Sequence, residues 1–327
     1  MKNVKSLLRN FRSWLVFQRE TYLDGRRFLG ASTWAGFRQE HHQGQLESAL
    51  IRHYHVVEKG LSMPEFRPKF GAPLVRTLVR LVRDWRARYG EENLQYRSAV
   101  DVLKAYYLKH VESGECIDDI LAPAVISEFA LDDSQRALAG GVRIPVFPSP
   151  EEGAAYRKVA TSRASIRRYV ADKIPDEGII GDAVEIAKWS PSVCNRQSWR
   201  VHAYRGTDIE KLLKHQQGNR GFGHQIPVLL VVTSDLRCFT GPVERYQGWI
   251  DGGMFSMALL LALHSLGLGA VPLNWSALNR TDEALRKDAN IPDHERVIML
   301  IGCGYPDDTA PIPNSCRHEV EHFLAWH

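Results

Sequence analysis

Apolar positions in the first 135 residues recur at helical spacing. In SLLRNFRSWLVFQRETYL (6–23), Leu8, Phe11, Leu15 and Tyr22 fall on one face. In APLVRTLVRLVRDWRARYG (72–90), Leu74, Val75, Leu78, Val79 and Val82 make an apolar stripe, and Arg76, Arg80 and Arg83 line another side. YRSAVDVLKAYYLKHVESG (96–114) reads as a further helix; Gly90 and Gly114 give the two stops. The pattern lapses at 140–153, GGVRIPVFPSPEEG, where three prolines and no period read as a linker. Beyond it, short elements of two kinds alternate. Helices are predicted over 178–190, 251–268 and 281–290, and strands over 200–206, 226–235, 269–275 and 296–306. The run IPVLLVVTSD (226–235) is apolar without alternation, as for a strand covered on both faces. The expected organisation is a helical region at 1–140, a linker at 141–153 and a mixed α/β unit at 154–327, close to the usual domain size.

Composition narrows the class. The chain of 327 residues is 44% apolar and 24% charged, ordinary for a soluble globular protein. The segment 254–271 could be mistaken for a membrane span, but it holds His264, two serines and two glycines, with Asp251 just before it. A buried core helix explains it better. Residues 1–100 carry 18 Lys+Arg against 9 Asp+Glu, while the whole chain is +4, so a basic front is joined to a mildly acidic back. The five cysteines form no C-x-x-C pair and share no spacing with a histidine cluster. Reduced thiols in a cytoplasmic setting are expected, with no metal site. The N-terminus lacks the apolar core and cleavage site of a signal peptide, and no nucleic-acid partner is indicated.

Three separated stretches carry chemistry. In SRASIRRYV (162–170), Arg163, Ser165 and Arg167 alternate, so an extended backbone points them the same way. Two guanidiniums flanking a hydroxyl suit a phosphate; a solvated face is the ordinary alternative. SPSVCNRQSW (190–199) crowds Ser192, Asn195 and Gln197 into one loop, where a local turn cap is the ordinary reading. GLGAVPLNWS (267–276) runs from a helix end through two glycines into a strand, and could equally be a plain C-cap.

In this order and spacing the three stretches resemble the motifs of the FMN-dependent nitroreductases. The match runs through Arg163-Ala164-Ser165-Ile166-Arg167-Arg168-Tyr169, Ser190-Pro191-Ser192-Val193-Cys194-Asn195-Arg196-Gln197-Ser198-Trp199, Ala270-Val271-Pro272-Leu273, and a late Ile301-Gly302 followed by Arg317. It covers about 154–327. The resemblance implies an α+β fold, a mixed sheet flanked by helices, preceded here by a mainly helical N-terminal region. It implies bound FMN: Arg163, Ser165 and Arg317 on the phosphate and ribityl chain, and Arg167 at the pyrimidine. Asn195, with Gln197, would read the polar edge of the ring, and Pro191 and Ser192 would shape the wall. Pro272, Leu273 and Asn274 would bring backbone amides toward the flavin N5 and O4. It further implies a homodimer with FMN at the interface, helix 251–268 at its centre and C-terminal segments embracing the partner. The expected activity is ping-pong hydride transfer from NAD(P)H through flavin to a small acceptor, with no side-chain acid or base. The alternatives are a flavin-binding protein without turnover, its N-terminal half binding a partner or membrane, and unusual flavin chemistry such as dehalogenation or flavin breakdown. Two departures stand out. Ser198 replaces a proline, which is expected to loosen its loop, and Ser315 stands where family members often carry a second cation. Cys194 beside Asn195 reads as a small wall residue or as a flavin-proximal thiol.

Residues 1–140 match nothing in that family. HYHVVEKGLSMPEFRPKFG (53–71) reads either as a lid over the flavin or as an inter-helix loop. The basic start (Lys2, Lys5, Arg9 and Arg12 among Leu8, Phe11, Trp14 and Leu15) reads as packing on the core or lying on an anionic membrane surface.

Overall fold

The computed structural model describes residues 2–33, 42–129, 139–307 and 309–327, with the side chains of residues 2–6, 8 and 9 outside that description. Helices α1 (Lys2–Ala31), α2 (Gln43–Leu61), α3 (Ala72–Tyr89), α4 (Leu94–Glu112) and α5 (Pro123–Glu128) make up the N-terminal region. Helices α2 to α4 share one core. Leu46, Leu50, Tyr54 and Val57 of α2 meet Val75, Leu78, Val82 and Trp85 of α3, and Ala99, Leu103 and Tyr106 of α4. These positions repeat at three, four and seven residues, which is why the stripes were visible in the sequence. Outside the core, Arg83 pairs with Glu128 at 2.7 Å and Arg76 with Asp119 at 3.6 Å, so the arginine ridge of α3 is an ion-paired surface.

Three expectations for this region need correction. The stretch 53–71 is not wholly an inter-helix loop, because α2 runs through it to Leu61. Its remainder folds back on α4, where the Lys69 N–H donates to His110 at 2.9 Å and the Phe70 ring stacks edge-on against Tyr106. The linker is shorter than expected, because helix α6 (Pro150–Ser162) already begins at Pro150. Ser149 accepts from the Glu152 N–H at 3.3 Å, and the Glu152 carboxylate accepts from the Ser149 N–H at 2.7 Å. That capping box was legible in S-P-E-E. Finally, the front of α1 does not pack on the core: Phe11, Trp14 and Leu15 are half exposed, and Lys2, Lys5, Leu8 and Arg9 have side chains outside the described set.

The C-terminal unit is built on a sheet of β1 (Trp199–Tyr204), β2 (Val228–Asp235), β3 (Gly269–Asn274) and β4 (Glu295–Gly304), in the order β1-β2-β4-β3. All three ladders are antiparallel. The expected mixed character is confined to one parallel bridge, Ser165 to Ala270. Helices α7 (Glu177–Ala187) and α9 (Gln247–Ser265) cover one face, and α8 (Thr207–Leu213) and α10 (Asn279–Asp288) the other. Strand β2 shows why its sequence is a continuous apolar run. Val228, Leu230 and Val232 pack under α7 and α9, and Leu229 and Val231 under α8 and α10. Helix α9 lies so close to the sheet that a Cβ on Gly252 would fall 2.7 Å from the Ile298 side chain. Among the described residues no helix is long and apolar enough to cross a membrane, and 254–271 becomes α9 and the start of β3.

The N-terminal region is docked onto this unit by specific contacts. Phe28 joins Leu236, Cys238 and Phe239 in a small core, and Arg27 pairs with Asp282 at 2.7 Å. Glu20 accepts from the Asn279 N–H at 2.6 Å, and Ser48 Oγ donates to the Cys238 carbonyl at 3.0 Å.

Candidate functional site

Arg163 ends α6 and turns the chain into an extended segment laid along the sheet. The Ile166 N–H donates to the Ala270 carbonyl at 3.0 Å, and the Val170 N–H to the Tyr305 carbonyl at 2.9 Å. Tyr169 is buried and its hydroxyl donates to the Gly302 carbonyl at 3.2 Å, which ties the end of the segment to β4. Arg163, Ser165 and Arg167 are thereby brought to one cavity of about 800 Å³, which Met257 of α9 and the segment Ile312–Arg317 also line. Among the described residues no aspartate or glutamate lines it. Arg163 Nη1 is buried without a hydrogen-bond partner. A buried guanidinium donor with nothing to meet is costly, and a phosphate would satisfy it. Arg317 lies exposed, donating to the Ser315 carbonyl, and Arg167 lies over the Phe222 ring at 5.7 Å. Arg168 points elsewhere, to Asp307 at 2.6 Å. On α9, His264 bonds Ser162 Oγ at 2.8 Å, and burial together with the nearby Arg163 charge pulls its pKa below 6.5.

The loop 190–198 is a second constellation. Cys194, Asn195 and Gln197 have φ of 49°, 54° and 49°, a left-handed backbone that non-glycine residues adopt at a cost of about 1–3 kcal/mol each. Several bonds hold it there. Asp251 accepts from the Val193 N–H at 3.2 Å, Ser192 Oγ from the Gln197 N–H at 3.0 Å, and the Asn195 carbonyl from the Gln197 side chain at 3.0 Å. Gln197 is therefore spent on its own loop, whereas Asn195 is exposed. The anchor is Arg196, which the motif left as a variable position. Its buried guanidinium donates to Glu244 at 2.6 and 3.0 Å, to the Cys238 carbonyl at 2.6 Å and to the Val193 carbonyl at 3.1 Å. Asp251 is also buried, which pushes its pKa up despite the Gln247 and Val193 hydrogen bonds. Its place just before an apolar run was the one sequence signal for it. Ser198 does not loosen the loop: it is fully buried, bonds Ser234 Oγ at 3.0 Å, and its carbonyl accepts from the Asp235 N–H at 2.7 Å.

Pro191, Ser192, Asn195 and Gln197 do not line the Arg163 cavity, and neither do Pro272, Leu273 and Asn274. The last three end β3, with Leu273 buried and the Asn274 side chain bonded to Ser276 at 3.0 Å. Within one chain the residues singled out from sequence thus fall into separate groups.

An antiparallel sheet between two pairs of helices, with a central apolar helix and a basic cavity at its C-terminal half, defines a nitroreductase-like α+β unit. The Nitroreductase family model matches residues 160–218 and 208–305, within the C-terminal half of the chain. Arg317 lies beyond the matched span. An NADH dehydrogenase of Thermus thermophilus is 28% identical over 201 residues, 52% of this chain and 95% of that one. An iodotyrosine deiodinase of Thermotoga neapolitana is 27% identical over 187 residues, 50% of this chain and 93% of that one. A solved mutant of an FMN and NADPH-dependent nitroreductase derived from Sphigopyxis sp. strain HMH is 20% identical, with a TM-score of 0.43, covering 52% of this chain and 98% of that chain.

Proposed function

We propose that the protein is an FMN-dependent oxidoreductase that passes reducing equivalents from NAD(P)H to a small acceptor in the cytoplasm. The observation that carries this reading is the unpartnered, buried Arg163 Nη1 in a cavity with Ser165, Arg167 and Arg317 and, among the described residues, no acid. Bound FMN would supply the redox chemistry, taking a hydride from the nicotinamide and reducing the acceptor. The chain supplies position and charge. Arg163 and Ser165 hold the phosphate with Arg317, Arg167 sets a cation at the pyrimidine end, and Asn195 offers a free amide to the ring edge.

We further propose a homodimer. Trp249, Ile250, Met254 and Met257 are exposed along α9, as are Val320, Phe323, Leu324 and Trp326 in the C-terminal segment. An exposed apolar face of this kind marks an interface. The loop 190–198 is tied to α9 at Asp251, whereas the Arg163 cavity lies at Met257 and His264. A two-fold axis crossing the middle of α9 would carry the loop of one protomer to the cavity of its partner, completing each site from both.

The test is to purify the full chain, release its flavin by denaturation and identify it, then measure NADH and NADPH oxidation with a quinone or nitroaromatic. Non-covalent FMN and turnover support the reading; no flavin after reconstitution, or FAD alone, refutes it. Reductive dehalogenation is a second reading, favoured by the deiodinase relative, and halide release from an iodophenol in the same assay separates the two.

A further inference from the structure

The N-terminal region touches the loop 190–198 through one face of α2. Gly44 lies against Arg237, where a Cβ would come within 2.9 Å of the guanidinium carbon. One turn on, Ser48 Oγ donates to the Cys238 carbonyl at 3.0 Å. One turn further, Arg52 comes alongside the loop at Cys194 and Arg196, with Glu244 beyond. Arg52 Nε is buried and has no hydrogen-bond partner.

Glu244 is the acid facing Arg52, and it is fully engaged. One oxygen accepts from Arg196 Nη2 at 2.6 Å. The other accepts from Arg196 Nη1 at 3.0 Å, the Thr240 N–H at 2.7 Å and Thr240 Oγ1 at 2.9 Å. Arg196 and Glu244 pair with each other, so among the described residues no acid is left to pair with Arg52 beside Cys194. Burial and the neighbouring Arg196 both act against that charge. A half-buried guanidinium with a free donor is stabilised when it meets a planar monoanion, for which its fork is shaped.

We propose that Arg52 makes the acceptor site select a carboxylate-bearing acceptor, held next to the Cys194–Asn195 edge. This rests on the flavin reading above. The selectivity would then reside in a residue outside the part of the chain that matches the family.

The experiment uses the full chain loaded with FMN, as wild type, Arg52→Met and Arg52→Lys. Calorimetry gives the affinity for benzoate and for benzamide, and steady-state rates compare 4-nitrobenzoate with 4-nitrobenzamide. Wild type should bind benzoate at least tenfold more tightly than benzamide. Arg52→Met should lose at least tenfold in the 4-nitrobenzoate to 4-nitrobenzamide ratio of kcat/KM, mainly through KM, and Arg52→Lys should recover part of it. A wild type that carries FMN and reduces the neutral compound but shows no preference for the anion overturns the Arg52 proposal alone. So does an unchanged ratio in Arg52→Met. A wild type that takes up no FMN overturns both readings. Should Arg52→Met not fold, the wild-type benzoate preference and the Arg52→Lys ratio decide the matter.

Discussion

Replacing Arg196 with Met tests the claim that this side chain holds the strained loop. The arginine side chain is fully buried, and its partner Glu244 is 19% exposed. Removing one partner of a buried ion pair costs about 3–5 kcal/mol, because the other charge stays desolvated. Glu244 keeps two hydrogen bonds from Thr240 and some solvent, which points to the lower end, about 3 kcal/mol. A domain-sized unit loses about 2–4 °C of Tm per kcal/mol, so Arg196→Met should melt about 6–12 °C below wild type. The double variant Arg196→Met/Glu244→Met removes both charges and should recover more than half of that loss. Thermal melts of the three full-length proteins at neutral pH decide it. A shift under about 2 °C for the single variant, or a double variant no more stable than the single, would refute the buried-anchor reasoning.

Two further outcomes follow from the same geometry. If Arg167 stabilises the reduced pyrimidine, Arg167→Gln should lower the flavin midpoint potential at full FMN occupancy, by about 30 mV for each tenfold of lost preference; spectroelectrochemistry measures it, and an unchanged potential gives Arg167 another role. His53, His264 and His294 are each held below 6.5, burial being the largest cause. A depressed histidine contributes stability that is fully present above 6.5 and lost as pH falls toward the folded value. Tm should therefore drop between pH 7.5 and 5, less steeply in His264→Asn, and a flat or rising profile would contradict the burial argument.

Much of the fold was legible because the periods of helix and strand separate cleanly here. The stripes on α3 and α4 and the unbroken run of β2 each follow from the faces they bury. The alternation of Arg163, Ser165 and Arg167 was likewise readable, since Ile166 between Ser165 and Arg167 packs inward. Other features left no local signal. Helix α2 was not singled out from the sequence, because the histidines and charges from His53 on looked like loop, although Tyr54 and Val57 lie in its buried stripe. Arg196 looked like a surface position within a motif; its partner Glu244 is 48 residues away and becomes a neighbour through tertiary folding alone. The unpartnered Arg52 Nε is invisible for the same reason, since Glu244 is occupied by Arg196.

The central claim is that the Arg163 cavity recognises the phosphate of a flavin mononucleotide. The most direct measurement is a fluorescence titration of the flavin-free full chain with FMN and with riboflavin, which differ by that phosphate. The account predicts one FMN per chain, and riboflavin bound at least a hundredfold more weakly, with the gap largely lost in Arg163→Gln. Equal affinity for the two flavins, or no binding of either, would contradict it.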